Sequence, residues 1–254
     1  MADNDPVILL LDIGNSFIKW SELDDGQLCN AGEILHAGED LPGVFNEAWA
    51  DLVQPEAVWV SNVAGSELAD ALQNWLQKNW RVSPQYANTS EVHGDVRNAY
   101  SEPERLGVDR WMALIAAHEI SKQAVCIIDC GTAITVDVKS SSGQHLGGLI
   151  VPGLGMMRDS LYSGTNDVQE SVSESPASGL LACDTTGAVE AGSLYAIVAF
   201  IDRVCADMEK ELEEPMSCLL TGGDALDILP LLNIEFEHQP LLVLQGLALI
   251  AESA

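Results

Sequence analysis

The first residues with a chemical pattern run from Asp12 to Lys19, Asp-Ile-Gly-Asn-Ser-Phe-Ile-Lys, at the end of an apolar segment. A glycine in such a turn lets the backbone approach a ligand closely and lets its N–H groups point outward. The Asp12 carboxylate could bind a cation or its waters. Asn15 and Ser16 could donate to phosphate oxygens, beside the positive charge of Lys19. The pattern indicates a phosphate site, and the alternative for one such turn is an ordinary solvated hairpin.

The same pattern returns later in the chain, at Asp129-Cys130-Gly131-Thr132-Ala133. In both places an apolar run ends in Asp, a glycine turn follows, and an alternating segment returns. Each copy then continues through a second turn and a third strand to a helix. Such an internal repeat predicts two similar folding units. Two acidic hairpins in equivalent positions favour a ligand site over two ordinary turns.

A third pattern, Gly107-Val108-Asp109-Arg110-Trp111, opens a predicted helix. Phosphoryl transfer to an alcohol needs a group that accepts the hydroxyl proton, and positive charge near the phosphate or the acceptor. Asp109 and Arg110 are residues of those types, and a helix N-terminus keeps an Asp ionised. The alternative is that Asp109 only caps the helix, which is worth about 1 kcal/mol, while Arg110 is solvated.

Two more glycine turns follow predicted strands. Gly147-Gly148-Leu149-Ile150-Val151-Pro152-Gly153 leads into the helix that carries Arg158, and Thr221-Gly222-Gly223-Asp224 follows a later strand. Gly222 and Gly223, in the second of these motifs, would admit a flat adenine ring. Each motif is equally typical of a tight strand-to-helix turn.

The charge of the chain is strongly acidic. Eleven Lys and Arg stand against 39 Asp and Glu, a net charge of −28, which argues against a nucleic-acid surface. We consider two explanations, an acidic shell of the kind seen in salt-adapted proteins and simple solubility. The apolar run 241–251 is too short to span a bilayer, and the acidic start is unlike a secretory signal. We therefore expect a cytoplasmic protein with no membrane partner.

Apolar periodicity gives an alternating order of strands and helices. Predicted strands cover 7–13, 17–23, a third ending near Ile34, 57–63, 124–130, 133–138, 144–151, 217–221 and 234–236; predicted helices cover 41–52, 67–79, 108–120, 153–162, 187–212 and a segment from about 241. The repeat predicts two domains, 1–117 and 118–254. A polar segment, 163–184, is long enough to be a functional or mobile loop.

Taken together, these motifs resemble the type III pantothenate kinase family. The matching segments are 12–20, 107–111, 129–137 and 147–153, and the similarity extends to the closing Leu-Val-Leu-Gln-Gly-Leu-Ala. The resemblance implies an α/β fold with two ribonuclease-H-like domains of the actin-like ATPase superfamily and an ATP cleft between them. It implies that ATP phosphorylates the primary hydroxyl of pantothenate to give 4′-phosphopantothenate, the first step of coenzyme A biosynthesis.

The resemblance also implies a role for each matching residue. ATP, with Mg²⁺, would be bound by Asp12, Ile13, Gly14, Asn15, Ser16, Phe17, Ile18, Lys19 and Thr132. Pantothenate would be bound by Tyr100, Gly107, Val108, Asp109, Arg110 and Thr185, with Asp109 as the proton acceptor. Asp129 would bind an activating monovalent cation, potassium or ammonium. Family members are homodimers in which the partner subunit completes the pantothenate pocket.

The chain departs from the family pattern in two places. Ser16 replaces the commoner threonine and keeps the hydroxyl, while Asp184 replaces the asparagine before Thr185, with Thr186 adjacent. A carboxylate near an anionic substrate is unfavourable unless it points away.

Two alternative functions compete with the kinase. One is a non-catalytic accessory factor for transcriptional regulation, against which the presence of Asp109 argues. The other is a nucleotide-switched binding protein, for whose extra domains 254 residues leave no room.

Overall fold

The apolar runs form two five-stranded sheets in this computed structural model, which describes residues 7–49, 52–164 and 181–254. The chain divides into two compact units. The first extends to Lys122 and includes Gly143–His145 and Leu241–Ala254, and the second contains Gln123–Ser142 and Leu146–Pro240. The division at Lys122 lies near the expected boundary at residue 117, and the closing segment groups with the first unit.

The first unit is a sheet with helices. Its elements are β1 (Ile8–Ile13), β2 (Phe17–Asp24), β3 (Gln27–Leu35), α1 (Leu41–Trp49), β4 (Ala57–Asn62), α2 (Ser66–Asn79), β5 (Pro84–Tyr86), β6 (Val92–His93), β7 (Val96–Arg97) and α3 (Val108–Ile120). The sheet order is β3-β2-β1-β4-β5, with β1 antiparallel to β2 and parallel to β4. Strands β6 and β7 form a separate two-stranded ribbon.

The second unit repeats that arrangement. Its elements are β8 (Ala124–Cys130), β9 (Ala133–Lys139), β10 (His145–Pro152), α4 (Leu154–Gly164), α5 (Thr185–Glu211), β11 (Met216–Thr221), α6 (Ala225–Ile228) and β12 (Glu237–His238). The order is β10-β9-β8-β11-β12, with β8 antiparallel to β9 and parallel to β11. The internal repeat that the two Asp-containing turns predicted is therefore present as one sheet topology formed twice.

The central strands explain why the sequence marks these sheets so clearly. Strands β1 and β8 lie in the middle of their sheets, and most of their side chains are buried. A strand covered on both faces has a nearly continuous apolar sequence instead of an alternating one. The last residue but one of each central strand is acidic, Asp12 or Asp129, so the core of each unit leads directly to a candidate site residue.

A last helix, α7 (Leu242–Glu252), packs against α3 within the first unit. The two helices approach closely at Gly246, where an added Cβ would lie 2.0 Å from the Met112 carbonyl oxygen. Only glycine allows this distance, because the atoms it meets belong to the backbone. Helix α7 thus supports the helix that carries Asp109 and Arg110.

Two expectations about the second half need comment. The predicted strand at 234–236 is wrong, because the ladder residues are Glu237 and His238. Phe236 is buried in the core of the second unit, so its hydrophobicity reflects packing and not strand pairing. Most of the predicted loop, 165–180, lies outside the described residues. None of the helices within 7–49, 52–164 and 181–254 has the length and hydropathy needed to cross a membrane.

Candidate active site

The turn between β1 and β2 is a tight hairpin at the end of a central strand. Asp12 pairs with Lys19 across the two strands, and the Gly14 N–H donates to the Phe17 carbonyl at 3.0 Å. Backbone N–H groups in such a turn are suited to binding an anion. The arrangement places a carboxylate and an ammonium group on opposite strands beside the turn.

The eight residues of this hairpin differ in how far they are exposed to solvent. Ile13 and Ile18 are buried in the core of the first unit, Asn15 and Phe17 are exposed, and Asp12, Gly14, Ser16 and Lys19 are partly accessible. The two isoleucines anchor the ends of the strands. The accessible residues are therefore the ones whose side chains could touch a ligand.

The turn between β8 and β9 has the same form in the second unit. The Gly131 N–H donates to the Ala133 carbonyl at 3.2 Å, and the Gly153 N–H donates to the Thr132 carbonyl at 3.0 Å. Thr132 is exposed and Asp129 is partly buried. The turn is therefore held by the Gly147–Gly153 motif, which sequence alone could not distinguish from a simple strand-to-helix connection.

Close packing against the backbone explains most of the glycines around this second turn. An added Cβ at Gly153 would lie 2.3 Å from the Gly131 oxygen, and one at Gly222, whose φ is +97°, would lie 2.4 Å from the Cys130 carbonyl. At Gly223 an added Cβ would meet no described atom within 4 Å. Of the two glycines that could admit adenine, Gly222 is thus required by packing and Gly223 borders open space.

The third motif begins helix α3. Gly107 precedes the helix, and Asp109 lies in its first turn, where its Oδ1 accepts from the Arg110 N–H at 2.8 Å. An added Cβ at Gly107 would lie 2.5 Å from that Oδ1, so a larger residue there would displace the Asp109 carboxylate. Asp109 is therefore not the N-cap residue. The alternative in which it only caps the helix loses support.

The Arg110 side chain is buried, with 7% of its surface exposed. Its Nη1 donates to the Tyr100 hydroxyl at 3.1 Å, and its guanidinium carbon lies 5.9 Å from the centre of the Tyr100 ring. A planar guanidinium combines hydrogen bonding with stacking in this way. The alternative of a solvated Arg110 is wrong, and the two predicted pantothenate residues lie together.

Tyr100 is itself fixed by two residues to which the sequence assigned no role. The Tyr100 N–H donates to Asn98 Oδ1 at 2.9 Å, and the Tyr100 ring stacks on His145 with 6.1 Å between ring centres. The Ala99 N–H lies 3.4 Å from His145 Nδ1. The Asn-x-Tyr stretch could have indicated Asn98. His145 is 46 positions away from Ala99, so no local sequence pattern indicates its contact with this stretch.

The start of α5 separates the two candidate threonines. Thr185 is exposed, whereas Thr186 is buried. Asp184 is the N-cap residue, and its Oδ1 accepts from the Gly187 N–H at 2.8 Å. Its carboxylate is therefore directed at the first turn of its own helix, which removes the objection to an added negative charge at this position.

Asp224, after β11, is a partly buried acidic residue of the second unit with a shifted pKa. Burial raises the pKa of the Asp224 carboxyl, Asp227 raises that pKa further, and Arg158 lowers it. No group of three or more His, Cys, Asp or Glu among the described residues could hold a metal ion.

Comparison with known proteins shows what the chain is similar to. A family model described as type III pantothenate kinase matches residues 8–207. A type III pantothenate kinase from Nitrosococcus oceani is 44% identical over 251 residues, covering 97% of this chain and 94% of that protein. One from Hydrogenovibrio crunogenus is 35% identical over 249 residues, covering 97% and 100%.

Solved structures agree on the fold. A Campylobacter jejuni protein named for the Baf family of transcriptional activators has a TM-score of 0.61 at 22% identity, covering 96% of this chain and 98% of its own. A Sinorhizobium meliloti protein named as a 2-dehydro-3-deoxygalactonokinase has a TM-score of 0.55 at 12% identity, covering 97% and 98%. At these identities the likeness concerns the fold alone. The expected α/β fold class is confirmed, with one sheet topology formed twice.

Proposed function

This chain belongs to the type III pantothenate kinase family, and from that membership we propose how its own residues perform the family's reaction. It is an ATP-dependent kinase that phosphorylates pantothenate in coenzyme A biosynthesis, and the accessory-factor alternative is not favoured. The primary hydroxyl oxygen of pantothenate forms a bond to the γ-phosphorus, and the bond from that phosphorus to the β,γ-bridging oxygen breaks. ADP leaves, and the hydroxyl proton needs an acceptor.

Asp109 accepts that proton in our proposal. The observation that carries the assignment is its position beside Arg110, a buried guanidinium at the N-terminus of α3. The helix N-terminus favours the ionised carboxylate, which is the form that can accept a proton. Oδ1 accepts from the Arg110 N–H, which orients the group for its task.

Pantothenate binds through the polar group around Arg110. The guanidinium supplies positive charge for an anionic substrate, and its hydrogen bond to Tyr100 fixes both side chains before the substrate arrives. Gly107 and Val108 form the wall beside Asp109. Thr185 is the threonine assigned to pantothenate, and its exposure supports that choice over buried Thr186.

ATP phosphates bind at the accessible residues of the Asp12–Lys19 hairpin. The turn supplies backbone N–H donors, Ser16 a hydroxyl, and Lys19 a positive charge that offsets the charge of the phosphates. The buried Ile13 and Ile18 hold the strands in place and need not touch the nucleotide. Thr132, exposed at the equivalent turn of the second unit, is assigned as a further ATP contact.

Two cations complete the chemistry. Mg²⁺ would be held near the Asp12 carboxylate together with phosphate oxygens, and when bound it neutralises the charge that develops on the transferred group. Asp129, at the end of β8, is assigned to a monovalent cation, potassium or ammonium. A partly buried carboxylate suits a weakly hydrated cation that prefers oxygen ligands.

We assign the working form as a cytoplasmic homodimer. Strand β10 is an edge strand, and its Leu146, Leu149 and Ile150 are exposed. An apolar edge strand exposed to water is an association surface unless something covers it. A second copy of the chain is the partner that the family pattern indicates. Light scattering during gel filtration should give twice the chain mass of 27.2 kDa.

The function is tested by product analysis with the purified protein. With ATP, Mg²⁺, potassium and pantothenate, mass spectrometry should detect pantothenate carrying one phosphoryl group, in amounts equal to the ADP formed. An accessory factor would form neither product. A nucleotide-switched binding protein would form ADP without phosphorylating pantothenate. Either result would overturn the proposal.

The same assay tests the cation assignment. Replacing potassium by sodium should slow the wild-type reaction, because the smaller ion fits the proposed oxygen ligands less well. Asp129→Asn should lose most of its activity in potassium and respond little to the exchange. Equal sensitivity of the wild type and of Asp129→Asn to the exchange would remove the cation role from Asp129.

A further inference from the structure

His36 lies directly after β3, and it contacts the turn of the first hairpin. Its Nε2 lies 2.8 Å from the Gly14 carbonyl oxygen, and its backbone N–H donates to the Ser16 carbonyl at 2.9 Å. The Ala37 N–H donates to the same Ser16 oxygen at 3.4 Å. Because a carbonyl oxygen can only accept, His36 Nε2 carries the hydrogen. The imidazole is 7% exposed, so the contact is shielded from water.

These three hydrogen bonds fix the orientation of the peptide planes in the turn. In a planar trans peptide, the C=O of one residue and the N–H of the next point in opposite directions. The Gly14 C=O points at His36, so the Asn15 N–H points away from His36. Asn15 is exposed, and its N–H therefore faces the accessible side of the hairpin.

We propose that His36 is a positioning residue for ATP, because its hydrogen bond to Gly14 holds the Asn15 N–H toward the phosphates. This inference rests on the proposed assignment of Asp12–Lys19 to the ATP phosphates. Donors fixed before the reaction stabilise developing charge without reorganisation, whereas a turn that can rotate must first be ordered. His36 does not touch the nucleotide and acts only through the backbone of Gly14 and Ser16.

A purely structural His36 would fill space between β3 and the hairpin, and it would affect only stability. Two substitutions separate these roles. In His36→Gln the amide nitrogen can reach the position of the imidazole Nε2 and donate to Gly14. In His36→Asn the shorter side chain places its amide nitrogen near the position of Nδ1, out of reach of the Gly14 oxygen.

We expect His36→Asn to raise the KM for ATP about tenfold, the effect of losing one well-formed hydrogen bond. The KM for pantothenate should stay within about twofold of wild type, and His36→Gln should recover most of the KM for ATP. Thermal melting of both variants reports any loss of folding. His93→Asn, in the β6–β7 ribbon of the same unit, is the control and should leave both KM values unchanged.

The inference is overturned if His36→Asn lowers the melting temperature but leaves the KM for ATP unchanged, or if His36→Gln is as impaired as His36→Asn. Lys19→Ala, measured in parallel, tests the assignment on which the inference rests. An unchanged KM for ATP in Lys19→Ala would overturn the assignment of the hairpin, and the inference with it. A raised KM in Lys19→Ala with an unchanged KM in His36→Asn would overturn the inference alone.

Discussion

At the scale of single residues, Arg110 is the side chain on which the proposed pantothenate pocket depends most. A buried cation loses its hydration, and it is tolerated only where hydrogen bonds and aromatic faces replace the lost water. Tyr100 supplies both, through its hydroxyl and through its ring. Tyr100 in turn stacks on His145. Contacts within the first unit therefore hold the side chains of the proposed pocket in place.

Arg110→Lys keeps the charge but loses the planar group that reaches the Tyr100 hydroxyl. We expect the KM for pantothenate to rise about tenfold or more, with a smaller effect on the KM for ATP. Steady-state kinetics with each substrate varied in turn measures this. Arg105→Lys is the matched control, because Arg105 is exposed and its ion pair with exposed Glu102 is of a kind that contributes little. Equal effects of the two substitutions on the KM for pantothenate would contradict the role of Arg110.

Local sequence could predict the motifs but not the residues that brace them. Asp109 and Arg110 stand in one short pattern, so their types and spacing indicated chemistry directly. His36 contacts Gly14 across 22 positions, and His145 contacts Ala99 across 46. Such contacts arise when strands and loops pack in three dimensions, and no periodic pattern in the sequence predicts them. The burial of Arg110 was hidden for the same reason.

At the scale of elements, the long periodic segments were predictable and the short ones were not. Helix α3 and strand β8 have the predicted bounds, because each has a strong apolar pattern over many residues. Strands β5, β6 and β7 contain three residues or fewer, too short to show any alternation. The apolar residues 234–236 suggested a strand, but core packing explains them.

Gly246→Ala tests the support that α7 gives to α3. The new Cβ would lie 2.0 Å from the Met112 carbonyl oxygen, so the helices must separate. We expect a loss of about 2 kcal/mol or more in the free energy of unfolding, seen as a fall of roughly 4–8 °C in the melting temperature. Activity should fall as well, because α3 carries Asp109.

Gly192→Ala is the control for that experiment. Gly192 lies within α5, where an added Cβ would meet no described atom within 4 Å. Alanine is the better helix former by roughly 0.5–1 kcal/mol, so this variant should be as stable as the wild type or more stable. A loss of stability in Gly192→Ala equal to that in Gly246→Ala would show that the close approach of α7 to α3 is not the cause.

At the scale of the whole molecule, the excess of carboxylates dominates. With a net charge of −28, most acidic side chains have no cation available to pair with. Unscreened repulsion of this kind destabilises a compact state, and salt reduces it. The repeated sheet was predictable from the two Asp-containing turns. The grouping of α7 with the first unit was not, because it depends on packing between segments far apart in the chain.

Salt should therefore stabilise the protein. Between about 0.05 M and about 1 M sodium chloride the Debye length falls several-fold, and we expect the melting temperature to rise by at least about 4 °C. Sucrose at the same osmolality is the control, since it stabilises by exclusion without screening charge. An equal rise in sucrose, or no rise in salt, would contradict the electrostatic explanation and favour simple solubility as the reason for the acidic composition.

The proposed reaction depends on Asp109 as the acceptor of the pantothenate hydroxyl proton, and Asp109→Asn removes that capacity. The amide keeps an oxygen that can accept from the Arg110 N–H, as Oδ1 does at 2.8 Å, so the start of α3 should be preserved. Glu104→Gln, at an exposed position of the neighbouring turn, is the control. We predict that Asp109→Asn lowers kcat by about 10²–10⁴-fold, while the Kd for pantothenate measured by calorimetry stays within about threefold. Wild-type kcat in Asp109→Asn would contradict the account.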